Sequence, residues 1–181
     1  MIKREEHQRA QARAVELLGQ TGIALTRAEL ASIEVADFGL GELETTGAEI
    51  LTLVDTGRLV VKLLTLLPDQ TLPEHRHPRL DSCEGKEETI RCEWGELYLY
   101  GPGEPAPAPV GHPPAHRRRH YTVWHEYRLH PGGQVTLPPG TLHWFQGGPV
   151  GAVVWSITTR AADLQDIFTD PHIARQTVIV E

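Results

Sequence analysis

The sequence predicts an all-β barrel or sandwich that is preceded by a short helical segment. Strand-like segments recur at regular spacing between residues 44 and 160, with glycine and proline in the turns between them. The first part of the chain is instead rich in helix-forming residue types. A chain of 181 residues fits one domain, with helices over 1–40, a barrel over 41–160 and a C-terminal segment over 161–181.

Two helices are expected in the N-terminal segment. Alanine, glutamate, glutamine and leucine dominate residues 3–18, and Gly19 ends that helical pattern. Thr26 and Glu29 have the spacing of a capping box, in which each side chain hydrogen-bonds the backbone N–H of the other residue. This pair predicts the start of a second short helix, which should end before Gly39.

Eight strand-like segments follow, divided by turn signals such as Gly57 and Pro131. The predicted strands are residues 50–54, 59–64, 88–94, 96–100, 121–129, 134–137, 143–146 and 152–158. Residues 101–114 hold six prolines and predict a long irregular loop, because strand patterns resume after it. Residues 163–168 are expected to form a short helical turn, and residues 178–180 either a last strand or a tail.

Composition and charge argue against several classes of protein. The formal net charge of −7 opposes binding to nucleic acid, and the run Arg117-Arg118-Arg119 is interpreted as part of a solvated loop. No segment approaches the 18 or so apolar residues that span a bilayer, and the polar N-terminus is unlike a signal peptide. With two cysteines, Cys83 in a loop and Cys92 buried in a strand, a cytoplasmic location is expected.

Three histidines and a glutamate form the strongest functional signal in the sequence. His75 and His77 are two residues apart, so on a strand both side chains face the same side. Glu88 and His143 would come from neighbouring strands. Three imidazole nitrogens and one carboxylate oxygen suit Mn, Fe, Co, Ni or Zn. Because imidazole binds metal only when neutral, activity is expected to fall below about pH 6.

These residues also lie in motifs that resemble those of the cupin superfamily. The matching residues are His75, His77, Glu88 and Gly95 in the first motif, and Gly132, Pro138, Pro139, Gly140 and His143 in the second. Asp69 replaces the leading glycine of the first motif, and Gly147 replaces the closing asparagine of the second. The gap between His77 and Glu88 is longer than usual, which makes Glu87 a competitor, although the spacing to Gly95 favours Glu88. The resemblance implies a cupin barrel, a jelly roll or double-stranded β-helix.

Longer blocks are similar to one group of cupins, the short-chain family of D-lyxose isomerases. They lie at residues 73–78, 84–86, 88–89, 120–126, 143–146 and 166–171, and the similarity covers roughly residues 22–175. Members of this family are sugar isomerases that use a divalent metal, typically Mn. The resemblance implies interconversion of D-lyxose and D-xylulose, often with weaker action on D-mannose and D-fructose. It also implies a homodimer, and His75, His77, Glu88 and His143 as metal ligands.

Aldose–ketose isomerisation moves a proton between two carbons through an enediol or enediolate, and it needs a base within reach of the substrate carbon. Lys62 interrupts an apolar run, and two interpretations are open. If its side chain faces the barrel interior, it would hydrogen-bond a sugar oxygen; if it lies on an edge strand, it would face water. Glu126, Asp166 and Asp170 are the candidate acids. If these acids do not touch the substrate, Glu126 would be a surface glutamate, Asp166 a helix cap and Asp170 a turn aspartate.

Further residues are candidates for contacting the sugar. Trp124 and Trp144 could form an apolar wall against which a pyranose face stacks, although packing in the barrel core is the alternative for both. Gln146 could bind sugar hydroxyl groups, and Asp170 lies near the C-terminal end of the similar blocks. With Lys62, these residues make up the predicted substrate-binding set.

Two other functions are compatible with the same metal site. A cupin dioxygenase of the acireductone type holds Fe or Ni with three histidines and a glutamate. A non-catalytic cupin binds a sugar or a metal without turnover. Lys62 and the candidate acids suit proton transfer better than oxygen insertion, so the sequence favours a metal-dependent aldose–ketose isomerase.

Overall fold

The structure is a computed structural model that describes residues 1–79, 85–159 and 163–181, without the side chain of Asp163. The helices and strands in the described residues are β1 Ile2–Lys3, α1 Arg4–Leu18, α2 Arg27–Ala31, β2 Glu34–Ala36, β3 Ala48–Asp55, β4 Leu59–Leu66, β5 Thr71–Arg76, β6 Glu88–Gly101, β7 His125–Leu129, β8 Gln134–Leu137, β9 His143–Thr159, β10 Ile167–Phe168 and β11 Ile179–Val180. Short 3-10 helices lie at Arg118–His120 and Asp163–Gln165.

Two long strands organise the barrel. Strand β9 pairs along one edge with β6 and along the other with β4 and then β5. Strand β6 in turn pairs with β7 and β8, while β3, β2 and β10 extend the sheet, all in antiparallel pairs. Because β6 and β9 are shared by both halves, the sheet curls on itself. The predicted all-β barrel with an N-terminal helical segment is confirmed.

Glycine allows β6 and β9 to bend without breaking. A Cβ atom at Gly95 would lie 2.2 Å from the carbonyl oxygen of Gly151, and both glycines have positive φ angles, 75° and 88°. The register of the β6–β9 pair shifts at the same place, between Cys92 and Leu97. Therefore the strands predicted at 88–94 and 96–100 form one bent strand, and those predicted at 143–146 and 152–158 both belong to β9.

Helix α1 covers one outer face of the sheet. Its residues Ala14 and Leu18 pack against Leu51, Leu63 and Val153, which point away from the barrel interior. The barrel interior is filled by a second cluster, which includes Leu64, Leu66, Ile90, Leu97, Leu99 and Val154. Because strand side chains alternate, each of these strands contributes to both clusters.

The second predicted helix is confirmed. The capping box between Thr26 and Glu29 opens α2, which ends at Ala31, before Gly39. Residues 34–36 form β2, which pairs with β3 and buries Val35. β-branched residues such as Val35 have low helix propensity, so this segment pairs with the open edge of β3 and does not continue the helix.

The strand predicted at 121–129 begins only at His125. The backbone N–H groups of Thr122 and Val123 donate to the side chain of Glu74 and not to a neighbouring strand. Residues 163–168 form a 3-10 helix and then β10, which pairs with β5, so the predicted helical turn is correct only in its first half. The alternative of a last strand at 178–180 is confirmed, because β11 pairs with β1.

Cys92 is fully buried, as predicted, whereas Cys83 and Glu84 lie outside the described residues. Among the described residues, no helix has the length and apolar character needed to cross a membrane.

Glu49 is a buried carboxyl group at the base of β3. Its side chain is 1% exposed, Oε1 accepts a hydrogen bond from Gln70 Nε2 at 3.3 Å, and Oε2 has no partner among the described residues. Burial raises the pKa of Glu49 to about 8. The folded protein therefore holds Glu49 protonated at neutral pH, whereas the unfolded chain ionises it.

We expect Glu49 to make stability fall as the pH rises from about 4.5 to 8, because the unfolded chain loses this proton first, at up to about 1.4 kcal/mol per pH unit. Glu49→Gln should remove that slope, which chemical denaturation at several pH values measures. The exposed Glu5→Gln change is the control. Parallel pH profiles for Glu49→Gln and the unchanged protein would contradict a protonated Glu49.

Candidate metal centre

Three buried histidines meet at the mouth of the barrel. His75 lies on β5, His77 follows the end of that strand, and His143 begins β9. The pairing of β5 with β9 sets His75 directly opposite His143. One ring nitrogen from each histidine lies within 4.8 Å of the other two, which is a spacing that could hold a metal ion.

The hydrogen bonds of two of these rings leave nitrogen lone pairs for a metal. Nδ1 of His75 lies 2.8 Å from the carbonyl oxygen of Pro73, and Nδ1 of His143 lies 2.9 Å from that of Thr141. A carbonyl oxygen only accepts, so Nδ1 must carry the proton and Nε2 must carry the lone pair. Nε2 of His143 is buried and has no hydrogen-bond partner among the described residues. A bound cation would satisfy this atom, so the donor set fits a metal.

Glu88 adds a carboxylate to the histidines. Its Oε2 lies 2.9 Å from Nε2 of His77 and 3.5 Å from Nε2 of His143, and Oε1 accepts a 2.5 Å hydrogen bond from Ser156. Burial alone would raise the pKa of Glu88, but Lys86 and the two histidines outweigh burial and hold that pKa well below its usual range. The structure thus brings together all four residues predicted as metal ligands.

Asp166 orients His77 from behind. Nδ1 of His77 donates to Oδ1 of Asp166 at 2.6 Å, and both side chains are largely buried. Burial would lower the pKa of His77, but the hydrogen bonds to Asp166 and Glu88 raise it above its ordinary value. A carboxylate behind an imidazole is a common arrangement in metal sites, where it fixes the ring and strengthens it as a ligand.

The cavity around these residues carries two lysines. Lys62 points inward, because it shares the face of β4 that carries Leu64 and Leu66, and it lies beside Ser156 in the β4–β9 register. Lys86 also lines the cavity, with Nζ 3.8 Å from Oε1 of Glu88. Among the described residues, the cavity is lined by Phe38, Ile50, Lys62, Leu64, Leu72, His75, His77, Lys86, Glu88, Phe145, Ser156, Asp166, Phe168 and Arg175.

Sequence reasoning missed Lys86 and Ser156. The position of Lys86, two residues before Glu88, was an available signal because residues two apart on extended backbone share a face. No local pattern identifies Ser156, since its role follows only from its proximity to Glu88 across paired strands.

Glu126 lies away from the lining of this cavity. Its carboxylate accepts hydrogen bonds from the Tyr100 hydroxyl, from the Val110 backbone N–H at 2.6 Å, and from Arg128 Nε at 2.7 Å. These bonds fasten the proline-rich loop to β6 and β7. The structure therefore does not bring this predicted catalytic acid together with Lys62 and the histidines.

The other predicted sugar contacts also have structural partners elsewhere. Trp144 stacks on Tyr100 with ring centroids 3.9 Å apart, and Trp124 packs edge-on against Trp144. The side-chain amide of Gln146 hydrogen-bonds both backbone groups of His112, at 2.8 and 3.1 Å. These residues support the loop that precedes β7 and do not line the cavity around Lys62.

Asp170 is likewise held outside the cavity lining. Oδ2 accepts a 2.7 Å hydrogen bond from Arg117, whose guanidinium also binds Glu42 through two hydrogen bonds of 2.9 Å. Oδ1 accepts from the backbone N–H of His172. Asp170 therefore joins three segments of the chain in one ion-pair network.

Comparison with known proteins identifies the family. No protein-family model matches the chain. A protein named D-lyxose ketol-isomerase, from Thermofilum sp., is 48% identical over 180 residues, which is 99% of this chain and 100% of the relative. The chain belongs to the D-lyxose ketol-isomerase family. Another relative at 48% identity is a D-lyxose/D-mannose isomerase from Thermosediminibacter oceani, which matches over 97% of both chains.

Solved structures share the fold of this D-lyxose ketol-isomerase family member. L-ribose isomerase from Cellulomonas parahominis superposes with a TM-score of 0.81 at 20% identity, covering 99% of this chain and 98% of the other. L-ribose isomerase from Acinetobacter sp. in complex with L-ribose gives the same TM-score at 17% identity, with the same coverage. The barrel and the helices that precede it are therefore one shared architecture, and the predicted cupin fold is confirmed.

Metal binding should release a proton from His77. Both of its ring nitrogens face carboxylates, which favours the protonated ring in the absence of a cation, and a metal at Nε2 would displace that proton. We expect the affinity for Co²⁺ to weaken by about tenfold for each pH unit below the pKa of His77. Calorimetric titrations in buffers of different ionisation enthalpy measure the released proton. An affinity that is constant between about pH 5.5 and 8 would contradict this coupling.

Proposed function

We propose that this protein interconverts D-lyxose and D-xylulose, with D-mannose and D-fructose as a weaker substrate pair. The observation that carries the proposal is one cavity lined by His75, His77, Glu88 and Lys62, with His143 packed against the same group of ligand atoms. Support comes from relatives at 48% identity, which are named D-lyxose ketol-isomerase and D-lyxose/D-mannose isomerase. Both matches extend over nearly the whole chain.

Isomerisation requires removal of a proton from a carbon next to a carbonyl group. When bound by the three histidines and Glu88, a divalent cation supplies positive charge where negative charge develops on the sugar oxygens. We propose Mn²⁺ in this role, while Co²⁺, Fe²⁺, Ni²⁺ and Zn²⁺ suit the same donor atoms. Buried apolar residues such as Leu64 and Phe145 line the same cavity and exclude water from the reaction.

Lys62 supplies a second positive charge inside the barrel. Its ammonium group can donate a hydrogen bond to a sugar oxygen and stabilise charge there during proton transfer. Among the three acids predicted from the sequence, Asp166 is the one that lines this cavity. One of its oxygens accepts from His77, and its carboxylate is the acid proposed to take part in proton transfer.

We further propose that residues 1–181 form one domain and that the protein acts as a cytoplasmic homodimer. The dimer is supported by the sheet edges that a small open barrel must cover, since exposed edges pair readily with other strands. Size-exclusion chromatography with light scattering tests the dimer.

The isomerase proposal is tested with protein that is stripped of metal and then given Mn²⁺. We expect Mn²⁺-dependent formation of D-xylulose from D-lyxose, faster than formation of D-fructose from D-mannose and unchanged without oxygen. Failure to form either ketose, in protein that binds Mn²⁺, would overturn the proposal. A requirement for oxygen would support a dioxygenase, and sugar binding without turnover would support a binding protein.

Lys62→Met should lower kcat/KM for D-lyxose by about 100-fold or more, because it removes a buried charge-stabilising donor while keeping most of the side-chain volume. The affinity for Mn²⁺ should remain unchanged, since Lys62 is not one of the proposed metal ligands. The exposed Lys3→Met change is the matched control and should keep full activity. Retention of kcat/KM within about threefold in Lys62→Met would remove Lys62 from the mechanism.

A further inference from the structure

Glu74 directly precedes His75, one of the proposed metal ligands, yet its side chain serves a different part of the molecule. It is 1% exposed, and its carboxylate accepts four hydrogen bonds. Oε2 accepts from the backbone N–H groups of Thr122 at 2.5 Å and Val123 at 3.0 Å. Oε1 accepts from the hydroxyl groups of Thr122 at 2.9 Å and Thr169 at 2.7 Å. Because neighbours on a strand face opposite sides, Glu74 points away from the cavity that His75 faces.

The partner Thr169 belongs to the segment that carries Asp166. Between them lies β10, whose residues Ile167 and Phe168 pair with Arg76 and His75 of β5. The backbone N–H of Thr169 also donates to the carbonyl oxygen of Glu74 at 3.1 Å. Glu74 therefore holds this two-residue strand at its end with both its backbone and its side chain.

The position of β10 along β5 determines where Asp166 lies. A strand advances about 3.3 Å per residue. A slip of one residue would therefore move Asp166 by about that distance and break its 2.6 Å hydrogen bond to His77. Two residue pairs alone specify such a register weakly. The two backbone N–H groups from residues 122 and 123 hold the Glu74 carboxylate in place, so that it can fix Thr169.

We propose that Glu74 is a positioning residue of the metal centre. Through Thr169 it sets the register of β10, which keeps Asp166 against His77 and thereby sets the affinity for the metal. The inference rests on the proposed metal-binding function of the histidines. Loss of a carboxylate that orients a metal-binding histidine typically weakens metal affinity by 10- to 100-fold.

The test is the Co²⁺ affinity of the whole protein in the absence of sugar. Glu74→Gln keeps the size of the side chain but cannot accept from all four donors, and we expect about tenfold weaker Co²⁺ binding. Asp166→Asn should weaken binding by at least as much. The double variant should be no weaker than Asp166→Asn, because both changes act through one contact.

Asp37→Asn is the matched control, since Asp37 is also a fully buried carboxylate that accepts backbone N–H groups, from Gly39 and Gly41. It should lower thermal stability and leave Co²⁺ affinity unchanged. Thr169→Val removes only the hydroxyl donor, and it should weaken Co²⁺ binding in the same direction as Glu74→Gln. If Glu74→Gln does not fold, Thr169→Val carries the test.

Unchanged Co²⁺ affinity in folded Glu74→Gln or in Thr169→Val would overturn the inference, as would losses that simply add in the double variant. These outcomes differ from failure of the proposed function. If the proposed function fails, the protein without any substitution would bind no Co²⁺, or would bind Co²⁺ and convert neither sugar. The second result leaves the effect of Glu74 on metal affinity measurable and the inference standing.

Discussion

The pairing of β5 with β9 is the constraint on which the rest of this structure depends. It sets His75 opposite His143 and closes the barrel at the end where the cavity lies. Strand β9 can make this pairing while also pairing with β6 and β4 because Gly151 lets it turn. A single long strand therefore joins both halves of the barrel and carries one of the candidate metal-binding side chains, His143.

Charged side chains are concentrated where the pairing of β5 with β9 brings the strands together. Glu88, Lys62 and Lys86 are all buried near the histidines, although burial of an unpaired charge is costly. Each carboxylate oxygen of Glu88 faces a hydrogen-bond donor or a cation, and Asp166 faces His77. A divalent ion among these groups would balance the carboxylates further, so the site has the electrostatics of a cation-binding centre.

A second polar network performs a structural task with similar residue types. Glu126 fastens the proline-rich loop, Gln146 holds His112, and Arg117 links Glu42 to Asp170. These contacts bring the long loop and the C-terminal segment against the barrel. Residue type alone does not separate the two networks, since acids and an amide in a sugar enzyme suit either substrate binding or packing.

Strand periodicity and glycine punctuation were sufficient to predict the barrel, and the His-x-His spacing indicated His75 and His77. The resemblance to cupin motifs added Glu88 and His143 to the metal-ligand candidates. These features are local, because alternation determines which side chains share a face. The inward orientation of Lys62 required the structure, since an apolar run around a lysine fits either face of a strand.

The sequence by itself determined a helical start, a β-barrel and a set of histidines and a glutamate with the chemistry of a metal site. Only the tertiary structure decided that Asp166 lies against His77, that Glu126 and Asp170 lie elsewhere, and that Lys86 and Ser156 contact Glu88. The physical reason is that these contacts join segments that are far apart in sequence. Their partners are set by strand register and by bends at glycine, which no local spacing encodes.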